Sequence, residues 1–189
     1  MTEHLNVSRS PVREALRQLV SDGLLIEVPN KGVYVKEFNV KDIEEIFDMR
    51  VMLEGYGIAH SKKGMTSTRL ERLFEILKNL EASYEKGDLE TYTRYDEQLH
   101  ERIVRLGDNS LVNDTYERVR SMNQQFRVLS LTSERRFSES LEEHRTIVQS
   151  LAIGDVKTAD LINRRHLELA CNTVKEYLLK KEEEKEKEE

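Results

Sequence analysis

The stretch "SRSPVREALRQLVSDGLLIEVPNKGVYV", residues 8–35, carries the strongest fold signal in the chain. Ser10 followed by Pro11 is a typical helix start, because a serine hydroxyl caps the first amides and proline loses no hydrogen bond there. Gly23 is placed to end that helix. Two β-rich runs then flank "PNKG" (29–32), whose residues favour a tight turn. The stretch therefore predicts a helix followed by a β-hairpin.

Arginines recur at every fourth residue of this predicted helix, so they share one face. Such a helix followed by a two-stranded wing is typical of a winged helix-turn-helix, in which the helix enters the major groove of DNA. Side chains with this spacing can reach phosphates and guanine edges together. An alternative is a solvated face whose arginines pair with Glu14 and other acids. The residues predicted to contact DNA are Ser8, Arg9, Ser10, Arg13 and Arg17 in the helix and Asn30, Lys31 and Gly32 at the hairpin tip.

The amino-acid composition narrows the possible fold classes and binding partners. Charged residues make up 35% of the 189 residues, aromatic residues 6%, and there are two prolines, which favours long amphipathic helices over sheet. The net charge of -6 argues against general affinity for nucleic acid but permits a local positive patch. No apolar stretch reaches the roughly 20 residues that span a bilayer, and the single Cys171 fits a reducing compartment. We therefore expect a soluble, cytoplasmic protein with no membrane partner.

From about Asn39 onward, the apolar residues recur with the 3.6-residue period of amphipathic helices. In "KGD" and "IGD" the glycine can end one helix and the aspartate can cap the next. Six helices are predicted, at residues 40–61, 67–86, 89–106, 110–130, 137–152 and 155–181. Short links between them indicate an antiparallel bundle. The predicted fold is mainly α: a partial winged helix-turn-helix in residues 1–38, an all-α antiparallel six-helix bundle in 39–181 and a charged tail in 182–189.

Three of the five histidines fall on apolar faces of the predicted bundle helices. Asp96 and His100 lie four residues apart in "RYDEQLHERIVRL", so both project from one face. His144 and His166 belong to two other predicted helices. One carboxylate and three imidazoles converging from three helices would suit a first-row divalent metal. Taken singly, each histidine has the alternative role of a buried, hydrogen-bonded core residue.

The sequence resembles the GntR family of transcription regulators in two regions. Residues 4–35, "HLNVSRSPVREALRQLVSDGLLIEVPNKGVYV", resemble the DNA-binding head of that family. Residues from about 40 to 177 resemble the FCD ligand-binding domain of its FadR-type branch, through "VKDIEEIFDMRVMLEG", "GDLETYTRYDEQLHERIVRLGDNSLV", "SLEEHRTIVQSLAIGD" and "RRHLELA". The resemblance implies that the aspartate and three histidines named above bind a divalent metal. Zinc or nickel is expected first, with cobalt, iron and manganese also compatible. In such domains the metal holds a small carboxylate effector.

Further residues are candidates for contacting the effector. Arg50 corresponds to an arginine typical of the first helix of FCD domains; its alternative role is an internal salt bridge with Glu54, four residues on. The predicted fourth helix of the bundle contributes three more candidates, Asn123, Gln124 and Arg127. Tyr92 and Tyr95, on the predicted third helix of the bundle, are interpreted as core or interface aromatics.

Members of the family carry one helix and most of another upstream of the "VSR" element. The segment from Met1 to Leu5 resembles the tail of that second helix, which predicts an incomplete three-helix head. Leu5, Val7 and Val12 would then lack apolar partners. A misassigned start codon, a deliberate fragment and an impaired head are all compatible with this pattern.

Together these features predict a metabolite-responsive transcription regulator rather than an enzyme. A homodimer would present two heads to two half-sites of double-stranded operator DNA, and we expect a repressor that its ligand releases. One alternative is a metal sensor, in which the ion itself is the signal. A metal-dependent hydrolase is a weaker alternative, because no H-E-x-x-H pattern supplies a general base. The third alternative is a helical adaptor protein that no longer binds DNA.

Overall fold

The computed structural model describes residues 8–188, and its first element is helix α1, Arg9–Ser21. The N-cap is Ser8, so the predicted start at Ser10 is wrong by two residues. Pro11 lies inside the first turn, where backbone amides have no helical partner and proline removes no bond. The predicted end is confirmed: Gly23 has a φ of 76°, in the left-handed region. The amides of residues 23 and 24 bond back to the carbonyls of residues 20 and 19, both at 3.0 Å, as in a Schellman motif.

The predicted β-hairpin follows α1 and is confirmed. Strand β1, Leu25–Val28, pairs antiparallel with β2, Gly32–Val35, with Ile26 opposite Tyr34. Asn30 adopts a φ of 61° in the connecting turn. We call α1 and this hairpin, residues 8–35, the head. The expected helix tail before it, with Leu5 and Val7, lies outside the described residues, and Val12 is half-buried.

Six helices follow the head and form the bundle, as predicted. They are α2 (Val40–Gly64), α3 (Ser67–Glu85), α4 (Leu89–Arg105), α5 (Ser110–Arg127), α6 (Glu134–Ala152) and α7 (Val156–Glu188), with a short 3₁₀ turn at Leu129–Leu131. The predicted aspartate caps are present, since Asp88 accepts from the Thr91 amide at 3.0 Å and Asp155 from the Thr158 amide at 3.1 Å. Within residues 8–188, none of the helices combines the length and the apolar character that a bilayer crossing requires.

Four helix ends differ from the predicted bounds by three residues or more. Helix α2 continues to Gly64, three residues past its predicted end. Helix α5 ends at Arg127, three residues early, because the 3₁₀ turn replaces its last turn. Helix α6 begins three residues early because the Ser133 hydroxyl caps it by accepting from the Arg136 amide at 3.1 Å. Helix α7 continues to Glu188, seven residues past its predicted end and into the charged tail. Lysine and glutamate are good helix formers, so the tail continues the helix while the side chains of Glu182, Glu183 and Glu184 stay exposed.

Two clusters of buried apolar side chains form the core, and helix α4 contributes to both. Leu99 and Ile103 belong to one cluster and Val104 to the other. Helices α2 and α4 pack unusually closely at Gly57, where an added Cβ would lie 2.2 Å from the carbonyl oxygen of Ile103. This close packing brings the middle of α2 against the polar residues of α4.

Candidate metal centre

One aspartate and three histidines from three helices converge inside the bundle. Asp96 and His100 project from α4, His144 from α6 and His166 from α7. Each offers one ligand atom, and the four atoms all lie within 4.8 Å of one another. The side chains are buried, with relative exposures of 4%, 0%, 0% and 3%. The structure therefore brings together the four residues that the sequence analysis selected.

Each histidine ring is held through its Nδ1 atom. His100 Nδ1 lies 2.8 Å from Glu54 Oε2, and His166 Nδ1 lies 2.9 Å from Glu143 Oε2. Donation from Nδ1 to a carboxylate assigns the tautomer whose Nε2 carries the free lone pair, the form that binds metals. In the described part of the chain, the Nε2 atoms of His100 and His144 are buried without a hydrogen-bond partner, and they lie 3.7 and 3.3 Å from Asp96 Oδ1. Buried, unpaired acceptors aimed at one point fit a bound cation.

Tyr92 holds the third ring. The prediction that it is a core or interface aromatic is confirmed, since its side chain is fully buried in the core, but its contact with a histidine was not predicted. Its hydroxyl lies 3.2 Å from His144 Nδ1 and 3.1 Å from Ser140 Oγ. With His144 donating to the tyrosine oxygen, the hydroxyl can donate to Ser140. The signal was available, because Tyr92 precedes Asp96 by four residues on the face that also carries His100. Tyr95 also packs against the core, as predicted.

The two carboxylate oxygens of Asp96 face different partners, the histidines and an arginine. Arg127 Nη1 donates to Asp96 Oδ2, while Oδ1 faces the imidazoles. Burial favours the neutral acid, but the Arg127 guanidinium and His100 outweigh it and hold the pKa of Asp96 well below its usual range. Asp96 is therefore an anion and a suitable metal ligand. The Nε and Nη2 atoms of Arg127 are buried without partners among the described residues.

The three imidazoles differ in their protonation. Burial, together with the charge of His166, lowers the pKa of His144 well below its usual range, and burial also lowers the pKa of His166. Burial disfavours the charged form of His100 too, but the Glu54 carboxylate outweighs it and raises the pKa of His100. The same contact, with Arg50, lowers the pKa of Glu54 to about 2 against the effect of burial. His144 and His166 are thus neutral near pH 7, and on His100 a proton competes with a metal up to a higher pH than on an ordinary histidine.

The predicted effector residues on α2 and α5 lie in the same interior, with one exception. Arg50 Nε donates to Glu54 Oε1 at 3.0 Å, so the internal salt bridge given as its alternative role is present. Arg50 Nη2, however, is buried and has no partner within the described residues. Both amide atoms of Asn123 are also buried without a partner in the described part of the chain. The prediction for Gln124 is wrong: its side chain is exposed, because one residue turns a helix by about 100°.

The predicted DNA-contacting residues occupy a separate, exposed surface of the head. Ser10, Arg13 and Arg17 line one shallow groove on α1 together with Glu14. Ser8 precedes that helix and is exposed, and Arg9 is its first residue, whose side chain lies outside the described atoms. The hairpin tip is exposed at Asn30, Lys31 and Gly32.

A helix and wing joined to a helical bundle with a buried polar centre define a transcription regulator with a ligand-binding domain. The chain matches the FCD domain over residues 45–169 and the bacterial regulatory proteins of the gntR family over residues 1–35. It belongs to the GntR family of transcription regulators that carry an FCD domain, as the resemblance implied.

Relatives and solved structures agree with this assignment. The chain is 28% identical to the uncharacterized HTH-type transcriptional regulator YdhC of Bacillus subtilis, over 94% of this chain and 80% of that protein. It is 31% identical to the gluconate operon transcriptional repressor of Bacillus subtilis, over 82% of this chain and 63% of the repressor. The structure of E. coli McbR/YncC shares the fold, with a TM-score of 0.81 at 22% identity, over 93% of this chain and 84% of that one. Family and relatives are transcription regulators, not enzymes, so the hydrolase alternative is wrong.

Proposed function

We propose that this regulator binds a divalent metal through Asp96, His100, His144 and His166 and responds to a small carboxylate metabolite at that metal. The observation that carries the proposal is the convergence of four buried ligand atoms within 4.8 Å. FCD domains are known to bind metals, and the donor set of three imidazoles and one carboxylate suits zinc or nickel first, with cobalt, iron or manganese compatible.

The effector would be anchored by buried donors that have no partner among the residues that the structure describes. Arg50 Nη2, Arg127 Nη2 and the Asn123 amide are of this kind. A buried, unpaired donor is unfavourable, and a carboxylate oxygen would satisfy it with a charge-assisted hydrogen bond. A bound divalent ion would supply the positive charge that attracts the same carboxylate.

The output would be binding to operator DNA in the cytoplasm. Arg9, Arg13 and Arg17 would contact phosphates and base edges in the major groove, with Ser8 and Ser10 on phosphates and the hairpin tip on the adjacent backbone. A homodimer would place two heads on a pseudo-palindromic operator. The similarity to the gluconate operon repressor supports repression, which we expect the effector to relieve.

Metal binding is tested by thermal unfolding with EDTA and with excess Zn²⁺ or Ni²⁺. Metal at 100 times its dissociation constant would stabilise the fold by about 2.7 kcal/mol, which raises Tm by roughly 5–10 °C for a chain of this size. His144→Ala should lose this increase. His60→Ala, which changes an exposed histidine outside the centre, should keep it. An unchanged metal response in His144→Ala would refute the assignment of the centre.

The effector is tested on operator fragments with the metal-loaded protein and a panel of hydroxy and sugar acids. Release of DNA by an acid only when metal is present supports the proposal. Release that follows the metal titration and ignores every acid would identify a metal sensor instead.

A further inference from the structure

Helix α5 carries two adjacent rows of side chains that face different parts of the molecule. The inner row, Val119, Asn123 and Arg127, is buried in the bundle and ends at the ion pair with Asp96. The outer row, Arg118, Met122 and Phe126, is offset from it by one residue throughout. Four residues make slightly more than one turn of an α-helix, so each row follows one side of α5. Both rows belong to one rigid helix and move together.

The outer row contacts the head and the segment that connects it to the bundle. Arg118 Nη2 donates to the carbonyl oxygen of Ser21 at 3.1 Å, at the C-terminal end of α1. Met122 Sδ lies 3.1 Å from the position of a Cβ on Gly23, the glycine that ends α1. The rings of Phe126 and Phe38 pack edge-to-face, with their centroids 5.3 Å apart. Three successive turns of α5 therefore support the head and its connection.

The first of these contacts suits the end of a helix. The last carbonyls of α1 have no helical amide to accept from, and the helix dipole places partial negative charge there. The Arg118 guanidinium satisfies one of these carbonyls with a charged donor. The amide of Gly23 bonds within α1, so Arg118 and Met122 hold that end from outside.

The inner row ends at Arg127, whose ion pair with Asp96 would be weakened by a bound metal. Asp96 gives one oxygen to Arg127 and turns the other toward the imidazoles. A cation at the imidazoles draws on the same carboxylate charge and repels the buried guanidinium, so the Arg127–Asp96 pair weakens. Arg127 is one residue from Phe126, and any rotation of α5 that relieves the repulsion displaces the outer row as well.

We propose that α5 couples the metal centre to the DNA-reading helix, with Arg118, Met122 and Phe126 as the docking surface on which the protein's own head rests. This inference rests on the proposed metal binding. Occupancy of the centre shifts α5 through Arg127, and the shift changes the support of the α1 end through Arg118 and Met122. The position of the head then depends on the state of the centre.

The test is hydrogen exchange of the full chain, followed by mass spectrometry, with EDTA or with excess Zn²⁺. In the wild type, Zn²⁺ should slow exchange around Asp96 and His144 and change the exchange rate of residues 19–24 several-fold. The double variant Arg118→Ala, Met122→Ala should keep the first response and lose the second. The matched control is Arg135→Ala, Met52→Ala, which removes an exposed arginine and an exposed methionine away from the head and should keep both.

Each remaining outcome contradicts a defined step. A wild-type head that ignores Zn²⁺ while the centre responds overturns the coupling and leaves metal binding intact. An equal head response in the wild type and the double variant shows that α5 does not transmit it through this surface. A centre that does not respond in the wild type overturns the proposed function and the coupling with it.

Discussion

Glu54 accepts a 2.8 Å hydrogen bond from Nδ1 of His100, and both side chains are completely buried between α2 and α4. The other oxygen of Glu54 accepts from Arg50. One carboxylate thus holds a candidate metal ligand with one oxygen and a candidate effector anchor with the other. Changes at Glu54 should therefore affect the stability of the bundle and the affinity for metal together.

The first prediction concerns Glu54→Gln. Removing the charge leaves Arg50 buried without a counter-ion, and breaking a buried pair in this way lowers the free energy of unfolding by about 3–5 kcal/mol. Loss of the carboxylate behind His100 should also weaken metal binding about 10–100-fold. Urea unfolding in EDTA and chelator competition measure the two effects. Glu45→Gln, on the same helix with a side chain that is 66% exposed, is the control and should change neither. Wild-type zinc affinity in Glu54→Gln would contradict this role.

The second prediction concerns pH. The pKa of His100 is raised above its usual value, so a proton competes with a metal for this ring up to a higher pH than on an ordinary histidine. Affinity for metal should therefore increase with pH, by at most about tenfold per pH unit, and level off above the folded pKa. The lowered pKa values of Asp96 and Glu54 keep both carboxylates ionised, so they add no dependence there. The same raised pKa stabilises the metal-free fold below 6.5, and that contribution disappears as pH rises through the folded pKa.

The pH prediction is measured by chelator competition between about pH 6 and pH 8, with proton release from calorimetry in two buffers. Glu54→Gln removes the largest cause of the raised pKa, so its affinity should level off at lower pH than that of the wild type. A wild-type affinity that stays constant over the range would exclude a proton on His100.

The third prediction concerns the close packing of α2 and α4. In Gly57→Ala the new methyl group would lie 2.2 Å from a backbone carbonyl, which cannot move without shifting α4. Overpacking of this kind destabilises by about 1–3 kcal/mol or more, and the shift should also separate Glu54 from His100. Gly55→Ala is the control, because its nearest atoms, 3.1 and 3.2 Å away, end the side chains of Asp160 and Arg164. Thermal unfolding should show a larger loss for Gly57→Ala; equal losses would contradict the packing argument.

Local signals explain which parts of the fold were predictable. The ends of α1 and of the hairpin depend on Gly23 and the "PNKG" turn, whose backbone conformations few residue types adopt without strain. The six bundle helices follow from the apolar period. The start of α6 was missed because charged residues in its first turn hide the period, and its cap, Ser133, is one of several serines nearby.

Residue spacing alone predicted the site only within single helices, and the resemblance to FCD domains added His144 and His166 to it. Asp96 and His100 are four residues apart, so their common face follows from helix geometry alone. The groups that hold the rings come from other helices: Glu54 is 46 residues from His100, and Tyr92 is 52 residues from His144. Glu143 adjoins one histidine in sequence yet bonds the ring of His166, 23 residues away. Such pairs depend on how the helices pack against one another, which cannot be predicted from the spacing of residues in the sequence.

The last prediction separates a DNA-reading face on α1 from a solvated one. Arg13 and Arg17 are exposed in one groove, and each arginine that neutralises a phosphate should contribute about 0.9 to the slope of log affinity against log salt. The double variant Arg13→Ala, Arg17→Ala should therefore bind duplex DNA more weakly and with a slope smaller by up to about 1.8. Fluorescence anisotropy over a salt series measures both. Arg135→Ala, whose side chain is 80% exposed on α6, should leave affinity and slope unchanged because it lies outside the head. A double variant with the wild-type slope would mean that these arginines are merely solvated and that other groups hold the DNA.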